Sequence, residues 1–504
     1  MNKYLNRKNK FFYLLSLIIV LVALFLRLYK ISSNFVFVYD QGRDALKIQE
    51  ILSGDITFIG PTTGISGFFL GPFFYYLILP FYWLGGGNPV FPISFLVILS
   101  VIGIIISSLI VKAKSGWVGF FISSILLAFN FSHVKHSRWL SNPNPILFFG
   151  PLYFYILIKA LSDNFKSKKQ GKYYWLTLGL TLGLLLQTEL ANAIFFIPVT
   201  ILVFLFNRKK VNRTNIINML ITLFLTQLPL ILFNLKNKFI MLTALQSYFS
   251  KTTEKLPLLE IFKSRPIYYY QQLTFFFSPK TGWLFFFCLV MLIFYLLYKK
   301  FWTDIVLLVL ALWLFVPLIL LLFYNSNKGL LWDYYLITQP VAFIMLISLT
   351  ASDLISKLPL VKKWVLVMPI ILFLIYLNFN EWLIIQSKEL NKISFGTMKQ
   401  AIDFVYREAD RKPFDVEVFV PNLMPTAYEY LFSWYGKKKY GYTVDKVGGQ
   451  KKLVFFLLET RDNMDNIGLF WRNWWYNQRQ EDGKIIKKEK IGDIEIEVRE
   501  RLDK

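Results

Sequence analysis

A short polar segment after the first apolar block carries the residues with the clearest chemistry. Asp40, Arg43 and Asp44 occur together in the stretch Tyr-Asp-Gln-Gly-Arg-Asp, and Arg43 follows Asp40 by one helical turn. A carboxylate beside a guanidinium stays ionised, so Asp40 could act as a general base that accepts the proton of an acceptor hydroxyl. A guanidinium can hold a phosphate through two parallel hydrogen bonds. The segment therefore favours transfer to a hydroxyl from a donor whose leaving group is a phosphate.

A sugar linked to a polyprenyl phosphate is a donor of this kind. It needs an apolar groove for the lipid, cations for the departing phosphate and one carboxylate base. Glycosidase chemistry instead needs a carboxylic acid that protonates the leaving oxygen. Because a phosphate leaving group needs no such proton, one base suffices.

Further polar residues follow other apolar blocks and are candidate contacts for a phosphate or a sugar. These candidates are Gln41, His133, His136, Arg138, Asn142, Asn144, Glu189, Lys236, Lys328 and Asp333. Ionisable groups at a membrane edge are costly and usually mark function. For any single residue a solvated loop end is an equally good interpretation, but the predicted topology brings five separate loops to one depth. That convergence predicts an outward-facing polar cavity, in which Arg43, Arg138 and Lys236 contact the donor phosphate.

The histidines and the cysteine give little support for a metal or disulfide site. His133 and His136 could share one helical face, but two ligands do not make a zinc site. The single cysteine, Cys288, lies in an apolar block and excludes an intrachain disulfide. We therefore predict no cofactor, with a divalent cation on Asp40 and Asp44 as the alternative.

The composition indicates an integral membrane protein. Of 504 residues, 55% are hydrophobic and 17% are charged, whereas about a quarter is charged in typical soluble domains. The apolar residues come in blocks such as 90–111, long enough to cross a hydrocarbon core of about 30 Å as a helix. A soluble globular protein and intrinsic disorder are both excluded. We interpret the first block as a retained membrane helix, because it is too long for a signal peptide and lacks a small-residue cleavage site.

The net charge of +25 lies almost entirely in the apolar part of the chain. Residues 1–379 hold 34 basic and 11 acidic residues, whereas residues 380–504 hold 22 and 20. A nucleic-acid-binding protein would gather positive charge on one folded face. Here the charge lies in short loops between apolar blocks, where it sets the orientation in the membrane. Nucleic acid is therefore not an expected partner.

The distribution of basic residues also predicts the topology. Twelve apolar blocks lie at about 11–29, 69–84, 90–111, 117–131, 145–161, 173–188, 191–206, 214–234, 282–298, 303–324, 332–350 and 362–379. If the block 69–84 does not span, every basic cluster falls on the cytoplasmic side, as the positive-inside rule requires. This block contains Pro72 and Pro80, and we expect it to form a helix at the outer interface or dipping partway in. The remaining blocks predict a polytopic α-helical membrane protein with about eleven transmembrane helices, a cytoplasmic N-terminus and an extracytoplasmic C-terminal part.

These assignments divide the chain into two domains. Residues 1–379 form a membrane domain with a first outer loop at 30–89, and residues 380–504 form a small extracytoplasmic α/β domain. For the second domain, sequence periodicity predicts a helix at Thr397–Glu408 and strands at Asp415–Val420, Lys452–Leu458, Lys484–Glu489 and Asp493–Val498. Its aromatic patch consists of Trp471, Trp474, Trp475 and Tyr476. The patch either touches lipid headgroups or belongs to the core and surface of the domain.

The first-loop segment resembles a motif of lipid-linked-sugar glycosyltransferases with the C-type fold. The resemblance is to the aminoarabinose transferases and protein O-mannosyltransferases of glycosyltransferase family 39, whose motif reads roughly Asp-Glu-x-Arg-Tyr-Ala. Asp40 matches the first acid, which the family motif gives as the base, and Arg43 matches the arginine. Gln41 and Asp44 depart from the glutamate and the tyrosine, and it stays open whether Asp44 shares the catalytic role.

Two further segments resemble the same family. Gly71–Tyr76 is similar to the Pro-Pro-Leu-x-Tyr-Trp stretch of the same outer loop, in agreement with an interfacial helix. Ser137–Asn144 lies where the family often has a second acid, and here Asn142 and Asn144 are the candidates.

The residues and the resemblance together predict a glycosyltransferase. It would move a hexosyl or pentosyl group from a polyprenyl-phosphate donor to a glycan, lipid or protein acceptor on the outer face, with membrane lipids as further partners. A transporter or flippase of lipid-linked sugars is the main alternative, which the edge location of the polar residues and the lack of an internal repeat disfavour. A polysaccharide polymerase or ligase, and a non-catalytic relative in which Asp40 is a helix cap, also stay open.

Overall fold

The structure is a computed structural model. It describes residues 2–162, 167–250, 256–324, 331–357, 359, 368–388, 393–421, 424–444, 451–460 and 466–501. Lys328, one of the candidate phosphate contacts, lies outside these residues, as do parts of the basic clusters at 166–172 and 357–363. In the described part, a helical membrane domain is followed by a domain with a four-stranded sheet, which confirms the predicted fold class.

Most of the long helices of the membrane domain coincide with predicted apolar blocks. The described helices are α1 (Asn2–Leu28), α2 (Ile31–Asn34), α3 (Tyr39–Leu52), α4 (Phe73–Leu84), α5 (Val90–Phe129), α6 (Phe131–Ser137), α7 (Ile146–Ala160), α8 (Lys168–Thr188), α9 (Leu190–Ala193), α10 (Phe196–Phe206), α11 (Arg213–Lys236), α12 (Ile240–Ser250), α13 (Leu258–Phe277), α14 (Gly282–Tyr298), α15 (Ile305–Leu321), α16 (Gln339–Lys357) and α17 (Met368–Lys388). Helix α5 has 40 residues and breaks at Gly116, where φ is 66°, so it comprises the two predicted blocks 90–111 and 117–131.

Not every one of these helices is long enough to span by itself. Five described helical stretches are long and apolar enough to cross a membrane, or six if α13 and α14, bent by 102°, form one broken span. Helices α4, α7 and α15 are apolar but shorter. Helix α13 lies outside the predicted blocks, because polar residues such as Lys263, Arg265 and Gln271 interrupt its apolar sequence. The number of eleven transmembrane helices therefore stays a prediction.

Small residues bring α8 and α11 together, and α8 ends at a candidate site residue. A Cβ atom added at Gly179 would collide with the backbone of Met219, and one at Gly183 would collide with Thr226. Close contact through glycine is a common means of helix packing in membranes, where apolar burial gives little driving force. This packing holds the C-terminal half of α8, which Glu189 follows.

The first outer loop folds into two helices that lie beneath the C-terminal domain. Helix α4 has only 12 residues and keeps Phe74, Ile78 and Tyr82 buried. At about 1.5 Å per residue it is too short to cross a bilayer. It packs against α3 and α5. The interfacial position of the block 69–84 stays a prediction.

The C-terminal domain is an α/β sandwich. Its elements are α18 (Phe395–Ala409), β1 (Phe414–Phe419), α19 (Thr426–Leu431), a π-helical turn (Phe432–Gly436), α20 (Lys437–Tyr440), β2 (Leu453–Glu459), α21 (Asn466–Asn477), β3 (Lys484–Ile491) and β4 (Ile494–Glu500). The strand order is β1-β2-β4-β3, with β1 and β2 parallel and the other pairs antiparallel. The predicted helix and all four predicted strands are confirmed. Because α17 continues to Lys388, the predicted boundary at residue 380 lies inside a helix.

The aromatic patch on α21 is divided between the two faces of the helix. Trp475 and Tyr476 pack against Phe456 and other residues on the outer face of the sheet, as the core interpretation expects. Trp471 and Trp474 are 44% and 49% exposed. The opposite face of the sheet packs on α18 and α19.

Several contacts join the C-terminal domain to the first outer loop. The Thr426 hydroxyl donates a hydrogen bond of 2.7 Å to the carbonyl oxygen of Tyr39, at the start of α3. A Cβ atom at Gly42 would collide with the backbone of Ala427, so α3 and α19 touch directly. The indole of Trp434 donates to the Gly86 carbonyl oxygen at 2.7 Å. The domain thereby fixes the position of α3.

Candidate functional site

The site begins at the first turn of α3, which carries Asp40. The Oε1 atom of Gln41 accepts a hydrogen bond of 3.1 Å from the Val38 backbone N–H and so closes the start of the helix, and a substrate contact of Gln41 stays a prediction. Asp40 lies in the first turn, where a negative charge is stabilised by the helix dipole. Its side chain is 48% exposed. The structure therefore presents a carboxylate that a substrate can reach.

Arg43 lies between the two acids of α3. Its Nη1 is 3.0 Å from Asp40 Oδ1, and its Nη2 is 2.7 Å from Asp44 Oδ1. The same guanidinium donates from Nη1 to the Thr62 hydroxyl at 2.8 Å. Burial lowers the pKa of Arg43, but the carboxylates of Asp44 and Asp40 outweigh burial and raise this pKa above its usual range. Arg43 is thus a fixed cation whose outer side contacts the exposed carboxylate.

Asp44 differs from Asp40 in its surroundings. Its side chain is 3% exposed, and Oδ1 accepts hydrogen bonds from Arg43 and from the Tyr75 hydroxyl at 3.1 Å. Burial raises the pKa of the Asp44 carboxyl to about 6, although the Arg43 guanidinium opposes this rise. A carboxyl enclosed by Arg43 and Tyr75 is suited to orient the arginine rather than to receive a proton from a substrate. The geometry therefore favours Asp40 over Asp44 as the base.

A second group of polar residues lies where three loops between helices meet. The Glu189 Oε2 atom accepts a hydrogen bond of 3.0 Å from Asn142 Nδ2, and Glu189 Oε1 accepts one of 3.1 Å from the Ala191 backbone. Asn192 donates to the Tyr335 carbonyl oxygen at 2.8 Å and joins α9 to the 3₁₀ turn Asp333–Leu336. Burial raises the pKa of the Glu189 carboxyl to about 7. Asn142 and Glu189, two of the candidate residues from the sequence, therefore lie in one cluster.

Lys135, His136 and Asp333 form a third group. Asp333 Oδ2 is 3.0 Å from Lys135 Nζ and 3.5 Å from His136 Nε2. These residues line a cavity of about 230 Å³ whose other walls include Trp139 and Trp382. Asp40 is not among the residues that line this cavity, and the described candidates lie in adjacent clusters. A single outward-facing polar cavity that joins them stays a prediction.

Three candidate residues bind the protein's own backbone or side chains. Arg138 Nη1 donates to the carbonyl oxygens of Arg27 and Tyr29 at 3.0 and 2.7 Å, where α1 ends. Asn144 Nδ2 donates to three backbone carbonyl oxygens between residues 136 and 139. His133 Nδ1 lies 3.1 Å from Arg27 Nη2 in a buried environment. These contacts hold α6 against α1. Arg138 also lines the cavity beside Asp333, and the contact of these three residues with a phosphate or a sugar stays a prediction.

Lys236 is the remaining described candidate. It lies in the last turn of α11 and is exposed, and no described contact links it to Asp40 or Arg43. A basic residue at a helix C-terminus is also favoured by the helix dipole. Its contact with a donor phosphate stays a prediction.

Sequence reasoning did not identify three residues that hold the α3 site. Tyr75 lies in the segment Gly71–Tyr76, which resembles the family motif. Its contact partner Asp44 is 31 residues away in the sequence, so no local pattern predicts the contact. The Thr62 hydroxyl accepts a hydrogen bond from Arg43, and the Thr426 hydroxyl donates one to the Tyr39 carbonyl oxygen. A single threonine carries no sequence signal for such a long-range contact.

The comparisons with known proteins rest on structure alone, because no protein-family model and no curated protein matches the sequence. The crystal structure of ArnT from Cupriavidus metallidurans in the apo state superposes with a TM-score of 0.59 at 11% identity and covers 98% of both chains. The structure of the same protein bound to undecaprenyl phosphate gives 0.58 and 11%, with 97% of both chains covered. The Archaeoglobus fulgidus oligosaccharyltransferase, in complex with Zn and sulfate, gives 0.50 and 15%, covering 79% of this chain and 55% of its own.

These similarities establish the fold over nearly the whole chain, including the C-terminal domain. The chain has the C-type fold that the first-loop motif predicted. At such low identity the likeness shows the fold alone, and function has to be argued from the site.

Proposed function

We propose that this chain is a membrane glycosyltransferase that moves a sugar from a polyprenyl-phosphate-linked donor to an acceptor hydroxyl. The observation that carries this proposal is the exposed Asp40 carboxylate, held 3.0 Å from Arg43 on a helix that the C-terminal domain positions. An exposed base beside a fixed cation suits the abstraction of a hydroxyl proton near a phosphate.

The reaction needs one bond to form and one to break. The acceptor oxygen attacks the anomeric carbon of the sugar, and its proton passes to Asp40. The bond between the anomeric carbon and the phosphate oxygen breaks, and the polyprenyl phosphate departs with the electron pair. Arg43 stabilises the negative charge that develops on the phosphate. No acid is needed for this leaving group, which agrees with one exposed carboxylate, that of Asp40, in contact with Arg43.

Asp44 has the role of a positioning residue in this proposal. Its Oδ1 atom accepts hydrogen bonds from Nε and Nη2 of Arg43 and from the Tyr75 hydroxyl. These contacts hold the guanidinium in one orientation. An arginine held in one orientation loses little conformational entropy when a phosphate binds.

The fold supports a lipid phosphate as the donor class. ArnT, which shares the fold, has been solved in complex with undecaprenyl phosphate. The basic loops support a cytoplasmic N-terminus, which would place α3 and the C-terminal domain on the outer face. Whether a hexose or a pentose is transferred, and to which acceptor, are the finer parts of the proposal that a substrate screen has to decide.

The test uses the purified full-length protein in liposomes with undecaprenyl-phosphate-linked hexoses and pentoses. We expect release of undecaprenyl phosphate that depends on an added hydroxyl acceptor and on Asp40. Passage of the intact donor across the bilayer without release of undecaprenyl phosphate would contradict the proposal and support a transporter.

A further inference from the structure

Aromatic and polar side chains from three loops meet beside the α3 site. We call Glu189, Asn142, Trp139, Trp332 and Tyr334 the Glu189 cluster. Asn142 Nδ2 bonds both Glu189, at 3.0 Å, and the Thr188 carbonyl oxygen, at 2.8 Å, so the carboxylate has a fixed orientation. The ring of Tyr334 lies 5.7 Å from that of Trp139 and is nearly parallel to that of Trp332, 6.5 Å away.

The charge of Glu189 has no cation beside it among the residues that the structure describes. The neighbouring cations are engaged elsewhere: Arg43 pairs with Asp40 and Asp44, and Lys135 pairs with Asp333. A half-buried carboxylate without a cation is costly, because only two hydrogen bonds offset its desolvation. Such a carboxylate also repels a phosphate. This end of the site therefore does not receive the phosphate of a donor.

The Glu189 cluster nevertheless lies next to the α3 site, because α4 contacts both. The Phe73 backbone N–H at the start of α4 donates a hydrogen bond of 3.1 Å to Oε1 of Gln187, two residues before Glu189. Two residues further along α4, the Tyr75 hydroxyl donates to Asp44 of α3 at 3.1 Å. Trp332 is 52% exposed, so its ring is open to a ligand. The cluster thus offers a hydrogen-bond acceptor, an amide and an aromatic face next to the proposed base.

We propose that the Glu189 cluster is the subsite for the sugar of the donor, a proposal that rests on the function given above. Sugar hydroxyls donate hydrogen bonds to the Glu189 carboxylate, and the apolar face of the ring packs on Trp332 and Tyr334. Arg43 holds the phosphate on the other side of the anomeric carbon. The two ends of the site thus carry opposite charges. The Arg43 guanidinium lies at the phosphate, and the Glu189 carboxylate, which has no cation beside it among the described residues, lies at the sugar.

A helix cap alone does not explain Glu189. Its Oε1 atom caps α9 through the Ala191 N–H, but a neutral Ser or Asn caps a helix equally well. Burial raises the pKa of Glu189 to about 7, so the folded protein gives up stability to keep a carboxylate there at neutral pH. A charged group that lowers the free energy of unfolding is typical of a binding site, where function requires the charge.

The test separates the sugar from the lipid phosphate. We would measure the affinity of the purified full-length protein for bare undecaprenyl phosphate and for an undecaprenyl-phosphate-linked hexose and pentose. Glu189→Gln keeps the size of the side chain and its cap but removes the charge. Glu260→Gln, at an exposed glutamate at the start of α13, is the matched control.

We expect Glu189→Gln to weaken binding of the sugar-linked lipid by about ten-fold or more, as for loss of hydrogen bonds to a charged group. Affinity for bare undecaprenyl phosphate should stay within about two-fold of the wild-type value. Trp332→Leu, at an exposed ring, should cause the same selective loss. Equal losses for both lipids, or no loss for the sugar-linked one, would overturn the subsite.

This outcome is distinct from failure of the proposed function. If wild-type protein transfers sugar while Glu189→Gln keeps full affinity for the sugar-linked donor, only the subsite is wrong. If wild-type protein binds both lipids equally and transfers nothing, both proposals fail.

Discussion

Asp44 accepts two hydrogen bonds from Arg43 on one carboxylate oxygen, from Nε at 2.9 Å and from Nη2 at 2.7 Å. This contact fixes the plane of the guanidinium and leaves Nη1 to face Asp40 and Thr62. Two acids one turn apart on the same helix thereby have different roles. The buried Asp44 orients the arginine, whereas the exposed Asp40 contacts it at the surface.

Arg43→Lys should weaken binding of undecaprenyl phosphate by about ten-fold or more, because an ammonium group cannot replace the planar fork. It is a better test than Arg43→Ala, which would leave the Asp44 carboxylate buried without a cation. Lipid-phosphate affinity of the folded protein is the measurement. Lys47→Gln, one turn further along α3, is the control. Unchanged affinity in Arg43→Lys would remove Arg43 from the phosphate site.

Gly42→Ala should separate α3 from the C-terminal domain, because the added Cβ collides with the backbone of Ala427. We expect the transfer rate to fall by about 100-fold while the protein stays folded, since a displacement of about 1 Å is enough for such a loss. Gly64→Ala, in the same outer loop and with open space around its Cβ position, should behave like wild type. Equal activity of both variants would contradict the positioning role of the domain.

The sequence predicted the elements of this site better than its contacts. Hydropathy located most of the long membrane helices, and periodicity located all four strands, since both depend on local patterns. Hydropathy missed α13, whose apolar sequence is interrupted by polar residues. The spacing of Asp40 and Arg43 also predicted their ion pair. The contacts of Tyr75 and Thr426 with α3 could not be predicted, because they join residues far apart in the chain.

Arg138 and Asn144 illustrate a second limit. Their side chains donate to backbone carbonyl oxygens at the ends of helices, and the sequence did not predict these contacts. A guanidinium or an amide donates to a carbonyl, phosphate or sugar oxygen, and residue type alone does not distinguish them. Only the folded arrangement shows which oxygens lie within reach.

The stability of the ligand-free protein should depend on pH through the ionisation of Glu189. Burial raises the pKa of this carboxyl to about 7, above its unfolded value, so stability is lost as the pH rises towards 7 and the group must ionise. Glu189→Gln cannot ionise and so does not lose this stability. The melting temperature of the variant minus that of the wild type should therefore be larger at about pH 8.5 than at about pH 5.5. A difference that does not change with pH would contradict a buried, uncompensated carboxylate.

The topology can be tested by cysteine labelling after Cys288→Ser. An impermeant maleimide should label Lys437→Cys, in the C-terminal domain, in intact cells. It should label Lys169→Cys, at the start of α8, only after permeabilisation, because the basic loop before α8 is predicted to be cytoplasmic. The reverse pattern would place α3 on the cytoplasmic face.

The central claim is that Asp40 is the single catalytic base, and its most direct test is the transfer rate of Asp40→Asn with saturating donor. We expect a loss of about 10²–10⁴ with donor affinity retained, because asparagine keeps the size of the side chain but cannot accept a proton. Asp55→Asn, at an exposed acid that pairs with Lys47, should transfer at the wild-type rate, and Asp44→Asn should lose less rate than Asp40→Asn. Near-normal transfer by Asp40→Asn together with loss in Asp44→Asn would contradict the account and move the base to Asp44.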